Sequence, residues 1–223
     1  MISALDVARM IDISAVRTQH FQKDIDELVR LAKAYHFINV HVLPSWVHDL
    51  APRIKDIGDV YVGSPVGFPS GGHTTSVKLV EAYQLISDGA QEVDIVMNIG
   101  KLKDGQYDYV LNELKTIIRM IGPLAITKVI IEINVLTDAE MFKACELVMH
   151  SGASFVKTGT GWIPGGANID RIKKLKEYCG NDIKIKAAGG IRTREDFLAL
   201  YDLGVERMGI NTNSAVTIVE SFK

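Results

Sequence analysis

Cysteine is nearly absent: of 223 residues only Cys145 and Cys179 carry a thiol. Neither sits in a C-x-x-C or Cys/His cluster. Neither a zinc site nor a disulfide framework is expected, and the two read as reduced thiols of a cytoplasmic protein. No His, Cys or carboxylate spacing suits a metal, so no metal site is expected; His36, His48, His73 and His150 read as surface or loop positions. No charge of one sign dominates. Lys and Arg number 25 against 27 Asp and Glu, a net charge of −2, and such a balance offers no basic surface to nucleic acid or to an anionic membrane. No apolar run approaches the ~20 residues that a membrane span needs. The opening Met1-Ile2-Ser3-Ala4-Leu5-Asp6 lacks the basic stretch and apolar run of a secretory leader. Pro/Ser-rich linkers, low-complexity tracts and charge blocks are missing too, so residues 1–223 are expected to form one domain. A Gly-rich dinucleotide turn after an early strand, the usual mark of an open doubly wound sheet, is also lacking.

What is present is a repeating alternation. Short β-rich runs are predicted at Ile11–Ser14, Phe37–Val42, Val60–Val66, Glu92–Ile99, Thr127–Asn134, Ala153–Thr158, Ile183–Ala187 and Arg207–Asn211. Helical periodicity fills the gaps, for example Phe21–Tyr35, Thr74–Asp88, Tyr107–Ile121, Asp138–His150 and Arg194–Leu203. Gly89, Gly122, Gly152, Gly180 and Gly204 follow apolar-periodic segments as helix stops. Eight strand–helix units imply parallel strands joined by right-handed crossovers, and the length suits a single (β/α)8 barrel of the α/β class.

Within the strands the two faces differ. Val129, Ile131 and Ile133 alternate with Lys128, Glu132 and Asn134; Val93, Ile95 and Met97 with Asp94 and Asn98; Ile38, Val40 and Val42 with Asn39 and His41. Strand side chains alternate between faces, so in a barrel the apolar set lies under the helices and the polar set points inward. Asp12 and Ser14 share a face of the first strand, and Lys157 and Lys186 fall near the C-terminal ends of theirs. The interior then holds Asp12, Asp94 and Glu132 with Lys128, Lys157 and Lys186. Interiors built only for stability are mostly branched apolar residues. Buried charge is costly unless paired. Charges on at least four strands therefore point to function ahead of a purely structural ion-pair network. His41 reads as a hydrogen-bonded structural histidine, and Lys184 as a solvated residue at the far end of its strand.

Two lysines near strand ends suggest amine chemistry. An ordinary lysine is almost wholly protonated at neutral pH and cannot attack a carbonyl. Desolvation or a second cation frees the amine, and adjacent strands lie close enough for Lys186 to act on Lys157. Asp94 is placed to move protons through a water. Glycine turns follow the later strands: Gly159-Thr160-Gly161, Gly189-Gly190, and Gly209 on the eighth. Glycine lets backbone N–H groups approach an anion, and barrels often seat phosphate after strands seven and eight.

These segments carry a resemblance. Phe155-Val156-Lys157-Thr158-Gly159-Thr160-Gly161 resembles the Schiff-base segment of the deoxyribose-phosphate aldolase family. Residues 184–193, with Lys186, Gly189 and Gly190, resemble its second-lysine segment, and residues 92–100 its catalytic-aspartate strand. Gly67-Phe68-Pro69-Ser70-Gly71 with Thr75 and Lys78 is similar to the family's loop after strand three, and residues 128–132 also fit. The resemblance runs through nearly the whole chain in order. It implies a class I aldolase that reversibly cleaves 2-deoxy-D-ribose 5-phosphate to acetaldehyde and D-glyceraldehyde 3-phosphate without a cofactor; the alternatives are a related Schiff-base aldolase for a different sugar phosphate or keto sugar, and a non-catalytic barrel that binds a sugar phosphate. Lys157 would form the imine, Lys186 lower its pKa and Asp94 handle protons. Gly161, Gly189, Gly190 and the segment from Gly209 through Asn211 and Thr212 would hold phosphate, with Asp12, Ser14 and Lys128 also facing substrate. A homo-oligomer is compatible with this reading.

The chain departs from the family pattern around the substrate. Gly159 stands where a serine is usual, and Trp162 where some relatives carry lysine. Gly209-Ile210-Asn211-Thr212-Asn213-Ser214 replaces a stretch with paired serines. Ala15 and Val16 replace a common leucine pair, and the chain ends at Phe222-Lys223 without a tyrosine-bearing tail. These changes predict an altered phosphate preference and leave the two lysines and the aspartate untouched.

Overall fold

In a computed structural model, which describes residues 2–223, β1 (Ile11–Ala15) pairs in parallel with β2 (Asn39–Val42) on one side and with β8 (Arg207–Asn211) on the other. That double pairing closes the sheet. Between them run β3 (Tyr61–Val66), β4 (Glu92–Val96), β5 (Ile126–Ile130), β6 (Phe155–Lys157) and β7 (Lys184–Ala188), each hydrogen-bonded to its neighbours in chain order. The result is the expected single (β/α)8 barrel. Around it lie α1 (Ala4–Ala8), α2 (Gln22–Tyr35), α3 (Val47–Lys55), α4 (Thr75–Ser87), α5 (Ile99–Lys103), α6 (Tyr107–Ile121), α7 (Asp138–Ser151), α8 (Ile169–Cys179), α9 (Arg194–Asp202) and α10 (Thr212–Glu220).

Local sequence explains the helix limits. Thr137 and Glu140 form a capping box that starts α7, and Gly152 ends it at φ 84°, a backbone state open to glycine without strain. Thr193 and Asp196 start α9 in the same way. In α6, Val110, Leu114, Ile117, Ile118 and Ile121 share one stripe and are buried. The stripe packs on the outward faces of the strands, where Val93, Ile95, Val129 and Val156 are also buried. The main hydrophobic core therefore lies between sheet and helices, while the barrel interior holds charged groups together with a few apolar side chains such as Val96, Ile130 and Phe155.

Three expectations are corrected. The fourth and fifth strands stop early, at Val96 and Ile130, although the apolar alternation continues. Asn98 accepts from the Lys101 N–H and caps α5, and Glu132 takes a left-handed φ of 50° that turns the chain into a 3-10 turn at Ile133–Val135. Chain reversal at the rim outweighs the pattern there. The two cysteines, read as separate thiols, meet: Cys145 on α7 and Cys179 on α8 are both buried, paired with Cα atoms 7.2 Å apart. Packing of α7 against α8 brings them together, which no local pattern in the sequence signals.

The loop after β3 rests on a buried ion pair. Lys78 of α4 donates to Glu113 Oε1 of α6 at 2.6 Å and to the carbonyl of Val96 at 2.9 Å, with both side chains fully buried. Removing one partner strands the other charge in the core, which costs about 3–5 kcal/mol. Glu113→Ala should therefore lose stability on that scale in a urea titration. Lys78→Met combined with Glu113→Leu should recover most of it. A single substitution that leaves the unfolding midpoint unchanged would contradict this account.

Candidate active site

Inward side chains from six strands meet as one network. Asp94 Oδ2 on β4 accepts from Lys157 Nζ on β6 and from Lys186 Nζ on β7, each at 2.7 Å. Lys186 also sits 2.6 Å from Asp12 Oδ2 on β1. Below them, Lys128 on β5 contacts Glu92 and lies 3.4 Å from Asp12 and 3.5 Å from Asp94. Arg207 on β8 closes the floor, donating to Asp12 at 2.6 Å and Glu92 at 2.8 Å. The register makes this possible: Lys157 is the direct partner of Lys186, and Asp94 of Lys128. Residues paired across adjacent parallel strands share a face and a height.

The charge balance singles out one group. The network joins three carboxylates, Asp12, Glu92 and Asp94, to four cations, Lys128, Lys157, Lys186 and Arg207. Fully ionised, it carries one positive charge in excess, in a region with almost no water contact. Shedding that proton restores neutrality. Lys128 is held protonated: burial opposes its charge, but Asp12, Asp94 and Glu92 outweigh burial and raise its pKa. Lys157 goes the other way. Burial depresses it most, Lys186 and Lys128 add to that, and Asp94 opposes them, leaving its pKa lowered to about 8. Burial works against the Asp94 carboxylate, yet Lys157, Lys186 and Lys128 hold it well below the usual carboxylate range. Asp12 is held low in the same way, with Lys186, Lys128 and Arg207 overcoming burial.

Lys157 and Lys186 open onto a cavity of about 240 Å³ at the C-terminal rim of the strands. Asp12, Ser14 and His41 form part of its wall. Gly161, Gly189 and Gly190, at φ 73°, 96° and 73°, form its upper edge, where side chains would be strained and N–H groups stand free to face a ligand. Gly209 and Asn211 also line it, and α10 starts beside it. Arg17, exposed at the mouth, donates to the Gly161 carbonyl at 2.7 Å, and Phe68 packs edge-on against Trp162.

Most of the residues read from sequence converge here, with exceptions. Lys128 lies beneath the cavity, fully buried, because Glu92, Asp12 and Asp94 occupy its amine. Thr212 lies outside this cavity, as the first residue of α10. Asn211 spends its amide on Ser214, capping that helix. Glu132 is above the network, accepting from Thr160 N–H at 3.0 Å. A Cβ on Gly159 would come within 2.7 Å of Glu132 Oε1, so glycine in place of serine fits this packing. His41 faces inward as expected, and neither ring nitrogen has a hydrogen-bond partner among the described residues. Glu92 and Arg207 were missed as network members. Parity held the signal: Glu92 shares a face with Asp94, and Arg207 with Gly209.

Known proteins resemble this chain over nearly its whole length. The family model for DeoC/LacD family aldolases matches residues 7–209. A deoxyribose-phosphate aldolase of Rhizobium meliloti is 45% identical over 214 residues, covering 96% of this chain and 86% of its own. One from Staphylococcus carnosus is 39% identical over 219 residues, 98% of each chain. The tetrameric deoxyribose phosphate aldolase of Aeropyrum pernix superposes with a TM-score of 0.90 at 29% identity, over 99% of this chain and 92% of that one. Among the described residues no helix is long and apolar enough to cross a membrane. A closed (β/α)8 barrel with paired lysines and a carboxylate at one rim, matched over nearly its whole length, belongs to the DeoC/LacD aldolase family, whose members are carbon–carbon lyases.

Proposed function

We propose that this chain is a Schiff-base aldolase that reversibly cleaves 2-deoxy-D-ribose 5-phosphate to acetaldehyde and D-glyceraldehyde 3-phosphate, with Lys157 as the nucleophile. The observation that carries the proposal is a buried amine that faces a cavity, 2.7 Å from the Asp94 carboxylate and beside Lys186 in register, a setting that lowers its pKa to about 8. At pH 7 about one such amine in ten is neutral, against roughly one in a few thousand for an ordinary lysine. The neutral amine adds to the C1 aldehyde, and the carbinolamine takes up one proton from solvent and loses water to give an iminium. Asp94, through a water, takes the proton of the C3 hydroxyl as the C2–C3 bond breaks and its electrons flow to the iminium nitrogen. Glyceraldehyde 3-phosphate leaves. The enamine takes a proton at C2, and hydrolysis frees acetaldehyde and Lys157. The iminium supplies the electron sink, so the reaction needs no metal or organic cofactor. Phosphate rests on the N–H groups of Gly161, Gly189 and Gly190 and the start of α10, with Ser14 and Asp12 toward the sugar. We extend to this chain a homo-oligomeric assembly and a cytoplasmic setting.

Purified protein incubated with 2-deoxy-D-ribose 5-phosphate should release both aldehydes, and a panel of other sugar phosphates should fall behind it by no more than the altered rim allows. No cleavage of any phosphorylated 2-deoxy sugar would overturn the substrate assignment. The pH profile checks the amine. Trapping of the acetaldehyde imine by borohydride should rise with pH to a midpoint near 8. In Lys186→Leu the midpoint should move up, because one of the cations that depresses the Lys157 pKa is gone. A wild-type midpoint at the ordinary lysine value would contradict the assignment.

A further inference from the structure

His41 is a buried titratable group on the cavity wall, beside Asp94, that the steps above leave unused. It sits on β2, in register with Gly63 of β3. A Cβ at position 63 would meet His41 Nδ1 at 2.4 Å and the Asn39 amide at 2.7 Å, so glycine there makes room for both side chains inside the barrel. His41 is only 3% exposed, and neither ring nitrogen has a hydrogen-bond partner among the described residues. Nε2 stands 3.6 Å from Asp94 Oδ2, and the ring lines the same cavity as Lys157 and Lys186. It stays neutral: burial lowers its pKa most, Lys186, Lys157 and Lys128 add to that, and Asp94 opposes them.

We infer that His41 moves the proton at the carbon beside the imine. This rests on the Schiff-base reading. In the acetaldehyde iminium on Lys157, the methyl C–H is the acidic bond. Its proton passes to the neutral imidazole, the C–H electron pair forms the enamine double bond, and the iminium nitrogen becomes neutral. One positive charge moves from that nitrogen to the ring, and the total charge of the site is unchanged. The Asp94 carboxylate beside Nε2 favours the imidazolium that forms. During cleavage the same step runs in reverse. The proton that Asp94 took from the C3 hydroxyl crosses the 3.6 Å gap to the ring, and the ring gives it to C2 of the enamine. Asp94 thus serves the oxygen and His41 the carbon. Charged groups facing the ring are Asp94, Lys157, Lys186 and Lys128; Asn39 adjoins it on the same strand.

The test separates carbon proton transfer from imine formation. Wild type, His41→Ala and His41→Gln are each incubated with acetaldehyde in D2O, and exchange of the methyl protons is followed by NMR. Each is also trapped with borohydride, and the label on Lys157 is measured by mass. Both variants should label within a few-fold of wild type, while exchange falls by about 10²–10⁴-fold, the usual worth of a positioned acid–base group. Added 4-methylimidazole should restore part of the exchange in His41→Ala, where the ring's space is empty, and not in His41→Gln. Exchange at the wild-type rate in either variant that still labels would overturn the role of His41 alone. Absence of label in the wild type would overturn the Schiff-base reading, and this inference with it.

Discussion

Lys157→Ala should abolish turnover, with a loss of at least ~10⁴-fold, on the scale seen when a covalent nucleophile is removed. That loss corresponds to about 5.4 kcal/mol of transition-state stabilisation. The fold should be kept. Asp94 remains bound to Lys186 and Lys128, and the deletion removes the one excess positive charge of the interior. Thermal stability should therefore stay level or rise while activity vanishes. That combination separates a missing nucleophile from a collapsed site. Activity within tenfold of wild type in a folded Lys157→Ala protein would mean that another group carries the reaction.

Asp94→Asn should act on both chemistry and stability. The amide cannot accept the hydroxyl proton, so turnover should fall by about 10²–10⁴-fold. The carboxylate now opposes the forces that depress the Lys157 pKa, so its loss lowers that pKa further, below about 8. Imine trapping should persist, with its pH midpoint shifted down. The sign is opposite to that for Lys186→Leu, where a neighbouring cation is lost. Two buried carboxylates then face four cations, and breaking such pairs costs about 3–5 kcal/mol. The variant should unfold at lower urea concentration than wild type. An upward shift of the trapping midpoint would contradict the electrostatic account.

The barrel and much of the site were legible in the sequence for a specific reason. Several inward strand positions are charged, so the period of two stands out: Asp94 between Val93 and Ile95, Lys128 between Thr127 and Val129. Strand ends were less legible. Met97, Ile131 and Ile133 continue the apolar pattern past Val96 and Ile130, because the chain still needs buried side chains while it turns. Asn98 as a cap and Glu132 at positive φ reveal the turn only in three dimensions. Helix α3 carries an internal Pro52, which hides it from a periodicity reading. The floor of the site was hidden differently. Glu92 begins its strand and Arg207 begins its own, positions where a charge is usually solvated, as Lys184 is. Closure of the barrel is what places Arg207 against Asp12 and Glu92, and no local pattern encodes closure. The room that His41 occupies was equally invisible, since it depends on Gly63 on the next strand.

The central claim is that Lys157, and no other lysine, carries the imine. Wild-type protein treated with acetaldehyde and borohydride near pH 8, digested with trypsin and mapped by mass spectrometry, tests it directly. One ethyl group should appear, on the peptide that contains Lys157, and it should be absent from Lys157→Ala. A label on Lys186 with Lys157 unmodified, or no label on either, would contradict the account.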